Sequence, residues 1–208
     1  MSDPLAILFG SPARVKLLRF FLFNPNKEFT FDDISRRARL VRRTARTEVD
    51  DLEKAGVITK KNIFVPVEGQ TKKMKVLGYA LDKKFIHARA LQTFLYDTAP
   101  IDDKNILRHL RKAGTLDFVA TAGALIHDFE HELDLFITMK KVDQKKMETA
   151  IRNLEGEIGM EIRFVLMTSE ELFYRIGLHD RLVRELFDGR HHLILDRIDA
   201  EDSFRSQF

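Results

Sequence analysis

The stretch from Ile34 to Thr47, ISRRARLVRRTART, decides how the first half of the chain is read. It combines dense positive charge with no acidic residue. Apolar patterns of helical spacing flank it on both sides, so it belongs to a folded segment and not to a loose basic tail. The arginines of this stretch are Arg36, Arg37, Arg39, Arg42, Arg43 and Arg46.

Two short helices are predicted across this stretch. The first begins at Thr30, with Asp33 as the partner in a capping box. A turn over residues 39–41 leads to the second helix, residues 42–54, and Gly56 suits the left-handed position that ends it. The apolar positions expected to face inward are Phe31, Ile34 and Ala38 on the first helix, and Ala45, Val49 and Leu52 on the second. Arg43, Arg46, Thr47 and Asp50 then project outward from the second helix.

The segments around this pair predict one more helix and a hairpin. Ser11 followed by Pro12 begins a helix that Asn24-Pro25 stops. After Gly56, an extended run reaches residue 67, a turn falls at residues 68–70, and a second run follows over residues 72–81. The lysines on this hairpin are Lys60, Lys61, Lys72, Lys73 and Lys75.

Charge divides the chain into two parts. Residues 1–99 hold 19 Lys and Arg against 11 Asp and Glu, a net of +8, and residues 100–208 hold 16 against 21, a net of −5. Only the first part suits a polyanionic partner.

The chain has no cysteine, which excludes disulfides and thiolate metal sites. We expect a cytoplasmic protein, because we find neither a secretory signal nor an apolar run of about 18 residues.

Residues 8–82 resemble the winged helix-turn-helix of ArsR-like transcriptional regulators. The similarity lies in LFGSPARVKLLRFFL (8–22), FDDISRRARLVRRTARTEVDDLEKAGVI (31–58) and the basic hairpin. It implies a DNA-binding domain over residues 1–84, with residues 42–54 as recognition helix. Val41 stands where this family usually places a Ser or Thr cap, and the family's metal-sensing cysteines are missing.

The resemblance implies a set of DNA contacts. Arg43, Arg46 and Thr47 are expected to read bases, whereas Arg36, Arg37 and Arg39 hold the phosphate backbone. The alternatives are a solvated arginine face and a wing with a solvated lysine face. The residues expected to bind DNA are Arg36, Arg37, Arg39, Arg42, Arg43, Thr44, Arg46, Thr47, Lys60, Lys61, Lys72, Lys73 and Lys75.

Residues 85–101 predict a linker helix from Phe85 to Tyr96, with Ala88, Leu91 and Leu95 on one face. That face either packs on its own domain or forms the seam of a homodimer, which is the usual arrangement for such a module. A two-fold dimer predicts a palindromic site with half-sites about one helical turn apart.

Residues 102–199 predict a second α+β domain. The expected strands are residues 116–121, 133–138, 161–168 and 192–196. The expected helices are one through Ile106, Leu107 and Leu110, one with the apolar face Met147, Ile151, Leu154 and Ile158, one capped by Ser169, and one from Asp180 to Asp188. The tail, residues 200–208, is expected to be disordered. The chain as a whole is therefore predicted to be α+β.

The second domain resembles the minimal nucleotidyltransferases of the DNA polymerase β-like superfamily. Gly123 matches their glycine, but Ala124 replaces their serine, and Glu132-Leu133-Asp134 replaces Asp-x-Asp. Glu161 is the expected third carboxylate. The turn carries Asp128 and Glu130 where a phosphate-binding cation is expected, so we interpret the domain as degenerate, used for sensing, dimerisation or partner binding.

The alternative is a Mg²⁺-dependent nucleotidyltransferase acting on a protein or nucleic acid, with Glu132, Asp134 and Glu161 as metal ligands. No cofactor is expected otherwise. The histidines, among them His127, His131, His191 and His192, lack the spacing of a metal site, and we expect them to be ordinary surface or core residues. Residues 9–14 also resemble the glycine motif of nucleotidyltransferases, but we interpret this segment as the cap of a helix.

Overall fold

The computed structural model describes residues 4–66, 72–99, 101–128 and 131–207. Its architecture is mixed α+β with two small sheets, as predicted. The contacts divide the chain into two compact units: residues 1–100 with 152–160, and residues 101–151 with 161–208. No helix in the described ranges is both long enough and apolar enough to cross a bilayer.

The first unit contains five helices and three strands within its described residues up to 99. Its helices are α1 (Pro4–Leu8), α2 (Pro12–Leu22), α3 (Phe31–Arg37), α4 (Arg42–Lys54) and α5 (Ala88–Asp97). Its strands are β1 (Phe29–Thr30), β2 (Ile58–Pro66) and β3 (Lys73–Leu81), which form an antiparallel sheet in the order β1-β3-β2. The turn predicted at residues 68–70 lies outside the described residues.

The helix boundaries of this unit follow the capping residues. The Ser11 hydroxyl accepts hydrogen bonds from the Ala13 and Arg14 N–H groups at the start of α2. Thr30 and Asp33 form the predicted capping box at the start of α3. Gly56, after α4, has the expected positive φ of 70°. Local sequence therefore determines where α2 and α3 begin and where α4 ends.

Aromatic side chains fill the core of the first unit. Phe20 and Phe29 pack with ring centroids 4.5 Å apart, and Phe21 meets Phe20 edge to face at 5.3 Å. Residues 152–160 also belong to this unit, and the buried Asn24 amide donates to the carbonyl of Gly159 at 3.0 Å. Sequence spacing gave no indication of that contact, because it joins residues 135 positions apart.

The α5 helix packs on its own unit. Leu95 is fully buried, and Ala88 and Leu91 pack against the same core. The helix begins at Ala88, three residues later than predicted. Of the two readings of this face, packing within the domain is the one observed.

The second unit is a four-stranded sheet with helices. Its strands are β4 (Leu116–Thr121), β5 (Leu135–Met139), β6 (Phe164–Thr168) and β7 (His192–Asp196), in the order β6-β5-β4-β7. Only β5 and β6 run parallel. The helices are α6 (Asp103–Leu110), α7 (Gln144–Ile158), α8 (Ser169–Gly177), α9 (Arg181–Asp188) and α10 (Ala200–Arg205), and a 3₁₀ turn spans Gly123–Ile126. By its contacts, α7 from residue 152 onward is counted with the first unit.

Three predictions for this unit were wrong in detail. The tail was expected to be disordered, but Phe204 in α10 is buried and stacks on Phe187 with centroids 4.8 Å apart. The residue that caps α8 is Thr168, not Ser169, because the Thr168 hydroxyl accepts the Glu171 N–H. Strands β5 and β6 begin two and three residues later than expected, and the reason lies in the hydrogen bonds of Asp134 described below.

Candidate nucleic-acid interface

A tight turn sets the angle between α3 and α4. The buried Ser35 hydroxyl donates to the Leu40 carbonyl at 2.8 Å, and the Leu40 N–H donates to the Ser35 carbonyl at 3.0 Å. Arg39 takes a left-handed backbone conformation, with φ 54°, and its side chain is exposed. The turn leaves Arg39 exposed, although the stem of its side chain passes so close to Gly156 that a Cβ there would come within 2.8 Å of the Arg39 Cγ. The α4 helix begins two residues after Leu40.

The inner face of α4 is fixed by packing and by one arginine. Ala45, Val49 and Leu52 are buried as predicted. Arg14 of α2 donates from Nε to Glu48 at 2.8 Å and from Nη2 to Asp51 at 2.7 Å. Two of the acids on α4 are thus neutralised within the unit, which leaves the helix more basic towards solvent than its composition indicates.

The outer face of α4 is a stripe of exposed or half-buried polar residues. Arg43, Thr47, Asp50 and Lys54 recur at i, i+4, i+7 and i+11, which places them on one side of a helix. Arg43 is exposed, and its side chain makes no hydrogen bond or ion pair within the described part of the chain. The Thr47 hydroxyl donates to the Arg43 carbonyl at 3.3 Å, so its oxygen and methyl group remain available. Thr44 is also exposed.

Two of the arginines expected to bind DNA, Arg36 and Arg42, have acidic partners just outside the stretch. Arg36 binds Asp33 at 2.7 Å, and Arg42 binds Asp32. The side chains of these pairs are largely solvent-exposed, apart from the half-exposed Asp33. Exposed pairs contribute at most about 1 kcal/mol, so a phosphate can replace either acid at little cost. The i, i+3 spacing of Asp33 and Arg36 could have revealed one of them.

Arg37 and Arg46 lie against aromatic rings. The Arg46 guanidinium sits 3.8 Å from the Phe31 ring centroid and donates to the Tyr79 hydroxyl at 3.3 Å. The guanidinium of Arg37 lies 5.1 Å from the Phe29 ring. Such stacking stabilises a cation in place by roughly 0.5–2 kcal/mol. Arg46 therefore braces α4 against Phe31 and β3, and is less available for bases than Arg43.

The hairpin lysines divide between its two faces. Lys60 binds Glu53 of α4 at 2.6 Å, and this contact raises the pKa of Lys60. Lys73 and Lys75 lie opposite Pro66 and Phe64, so the two-residue period places them on the same face as Lys60. Lys61 points to the other face, where it binds Glu28 at 3.0 Å.

The lysines nearest the hairpin end carry the available charge. Lys72, Lys73 and Lys75 are exposed and have no acidic partner among the described residues. Exposed apolar side chains, Phe64 and Leu77, accompany Lys73 and Lys75 on the face that borders α4. Of the predicted lysines, Lys60, Lys73 and Lys75 thus lie on the face that borders α4, whereas Lys61 lies on the opposite face and Lys72 precedes the paired residues of β3.

The start of α4 lacks a side-chain cap, as predicted from Val41. The N–H groups of the first turn of a helix have no partner within the helix and carry the positive end of its dipole. Together with Arg42 and Arg43, this end of α4 suits an anionic oxygen.

The carboxylates compared with the nucleotidyltransferase motif are arranged differently from a metal site. Asp134 is only 2% exposed, and Arg163 binds it through Nε, Nη2 and its backbone N–H at 2.7–2.9 Å. The Ala124 N–H donates to the same carboxylate at 2.8 Å. Both oxygens of Asp134 are therefore occupied by donors from this chain.

The surroundings of Asp134 account for its charge state. Burial raises the pKa of the Asp134 carboxyl, but the hydrogen bonds from Arg163 and Ala124 outweigh burial and lower the pKa below its usual value. A Cβ on Gly123, which has φ 52°, would come within 2.4 Å of the Asp134 Oδ1. The glycine thus serves close packing against this ion pair. The same ion pair explains why β5 and β6 begin later in the sequence than predicted, because Asp134 and Arg163 bind each other immediately before the first residue of each strand.

Glu132 and Glu161 are exposed. Among the described residues, no three acids, histidines or cysteines come together in a way that could hold a metal ion. The His131 ring bonds to the Leu133 backbone, and His192 lies 3.0 Å from Asp103. Because the oxygens of Asp134 are already hydrogen-bonded to Arg163, this set does not fit a pair of Mg²⁺ ions.

Sequence reasoning missed Arg14, Tyr79 and Arg163. Each acts on a residue 29 to 37 positions away, and local spacing carries no signal for such contacts.

Comparisons of the chain with protein-family models, with curated proteins and with solved structures each found no match.

Proposed function

We propose that residues 8–82 form a winged helix-turn-helix that binds double-stranded DNA, and that the chain is a DNA-binding transcriptional regulator. The observation that carries the proposal is the outer face of α4. It presents Arg43 and Thr47 to solvent, while Arg14 neutralises the acids Glu48 and Asp51 of the same helix.

The α4 helix has the size and surface of a reading element. Its 13 residues span about 20 Å, enough to lie in a major groove. Arg43 can bind guanine O6 and N7 with two hydrogen bonds, and the Thr47 methyl group can contact thymine. Asp50, on the same stripe, can accept a hydrogen bond from a cytosine amino group but repels phosphate. This combination favours base reading over indiscriminate phosphate binding.

Cations around α4 supply the phosphate contacts. Arg39 and the three outer hairpin lysines have no partner to give up within the described residues, and Arg36 and Arg42 can exchange exposed acids for phosphates. If roughly four to six of these cations each neutralise a phosphate, the slope of log affinity against log salt is about −4 to −5. Arg37 and Arg46 are expected to position the surface from their aromatic contacts.

The dimer and the second unit belong to the same proposal. A homodimer would bind two half-sites about one helical turn apart. The second unit is expected to serve sensing, dimerisation or partner binding, because the hydrogen bonds of Asp134 support a structural ion pair over a nucleotidyltransferase site.

The experiment is in-vitro selection of duplexes from a random pool, followed by binding measurements on the selected sequence. Arg43→Glu should weaken binding at least tenfold, because one good base contact is worth about 1–3 kcal/mol and the reversed charge also repels phosphate. The matched control is Arg89→Glu on α5, which makes the same charge change at another exposed position of the first unit. The proposal fails if no sequence is enriched, or if both variants weaken binding equally.

A further inference from the structure

A cavity of about 710 Å³ opens at one edge of the four-stranded sheet in the second unit. The start of β4 meets the ends of β5 and β7 there, since Leu116 pairs with Met139 and Phe118 with Asp196. Gly123 and Asp134 lie at the opposite edge, where Thr121 pairs with Leu135. The cavity is therefore separate from the residues compared with the nucleotidyltransferase motif.

Positive charge dominates the polar wall of this cavity. Lys140, Lys141, Lys146 and Arg197 line it, and Arg111 lines an adjoining smaller cavity that shares Arg197. Lys140, Lys141 and Arg197 are exposed and have no acidic partner in the described part of the chain. This clustering is notable because residues 100–208 are acidic overall.

One of the two acids on the wall is already engaged. Asp143 accepts the Lys146 N–H at 3.1 Å at the start of α7 and pairs with the Lys146 ammonium at 3.1 Å. These contacts with Lys146 lower the pKa of Asp143. The charges of Asp143 and Lys146 therefore cancel. The positive charges of Lys140, Lys141 and Arg197 remain to attract an anion.

The second acid is buried and offers a different contact. Asp117 is 4% exposed and lines the cavity. Its Oδ2 accepts the Ser169 hydroxyl at 2.6 Å, whereas Oδ1 accepts no hydrogen bond from the described residues. A fully ionised phosphate cannot donate to this oxygen. A ligand that satisfies the whole wall therefore needs a hydroxyl or amino donor in addition to its anionic group.

We propose that this cavity binds a nucleotide, that is, a phosphorylated small molecule that also carries hydroxyl and amino donors. Lys140, Lys141 and Arg197 bind the phosphate oxygens, and Asp117 accepts a hydrogen bond from a hydroxyl or amino group of the ligand. The volume lies within the range of about 300–1,000 Å³ that is usual for small-molecule sites. The site lies in the second unit, and its existence does not depend on DNA binding.

The test is calorimetric titration of the full chain, without divalent cations and at low salt, with ADP, AMP, adenosine and inorganic phosphate. We expect saturable binding of ADP, weaker binding of AMP and inorganic phosphate, and no measurable binding of adenosine. The double variant Lys140→Gln/Arg197→Gln should weaken ADP binding about a hundredfold, because it removes two charge-assisted contacts. Lys104→Gln is the control, since Lys104 is an exposed cation of the same unit that does not line the cavity.

Asp117→Asn separates the two halves of the site. It should weaken ADP binding more than binding of inorganic sulfate, because sulfate is fully ionised near pH 7 and carries no donor for this position. Circular dichroism of each variant shows whether it remains folded. The proposal is overturned if ADP shows no saturable binding, if the double variant binds ADP like the Lys104→Gln control, or if adenosine binds as well as ADP.

Discussion

The ion pairs between Arg14 and α4 predict a measurable coupling energy. Arg14→Met removes the cation that binds Glu48 and Asp51 and leaves the Glu48 carboxylate, which is 6% exposed, without its charged partner. Breaking a buried pair costs about 3–5 kcal/mol. Because a third of the Arg14 side chain reaches solvent, water can partly replace it, and we expect a loss of about 2–3 kcal/mol.

Glu48→Gln removes the buried charge from the other side and should cost only about 1 kcal/mol. In the double variant Arg14→Met/Glu48→Gln no buried charge is left unpaired. It should therefore be about 2 kcal/mol more stable than the sum of the single losses predicts. Urea unfolding of the four proteins measures this coupling. As a control, Arg89→Met should change stability by less than about 0.5 kcal/mol. Single losses that add within about 0.5 kcal/mol would refute the idea that Arg14 neutralises α4.

Two further predictions concern the second unit. The pKa of Asp134 is lowered on folding, so its contribution to stability is present above its unfolded pKa of about 4 and is lost as the pH falls through the folded value. Asp134→Asn should thus be less stable than the parent by about 1–3 kcal/mol at pH 7, with the difference narrowing in acid unfolding curves below pH 4; a constant difference would contradict this. Phe204→Ala should destabilise the unit by about 3 kcal/mol because it removes the ring that stacks on Phe187. Gln207→Ala, at an exposed position, should have little effect. Equal melting temperatures of the two variants would support a disordered tail.

Local signals predicted the fold well where one residue determines a boundary. The ends of α4 were correct, because turn residues precede it and Gly56 follows it, and β7 was correct because its apolar run is short and bounded by polar residues. The start of β5 was wrong because Asp134, which looked like the second residue of a strand, is turned towards Arg163. That contact depends on the fold of a segment 29 residues away.

The candidate interface was predictable in composition but not in the roles of its members. The sequence shows the arginines, and helical spacing places Arg43 and Thr47 outward. It does not show that Arg46 stacks on Phe31 and reaches Tyr79, or that Lys61 lies on the far face of the hairpin. The cavity lined by Lys140 and Arg197 was not predicted at all, because its residues come from separate segments that only the sheet brings together.

The absence of cysteine from the chain allows the central claim to be tested by site-directed DNA cleavage. Thr47→Cys places a single thiol on the outer face of α4, to which an iron chelate that cuts DNA within its reach can be attached. Ala90→Cys does the same at an exposed position of α5. We predict strong, localised cuts within the selected site from the chelate on Thr47→Cys and much weaker cuts from the one on Ala90→Cys. Absent cleavage from the α4 position, with the labelled protein still bound to its DNA, would contradict the claim that α4 lies in the groove.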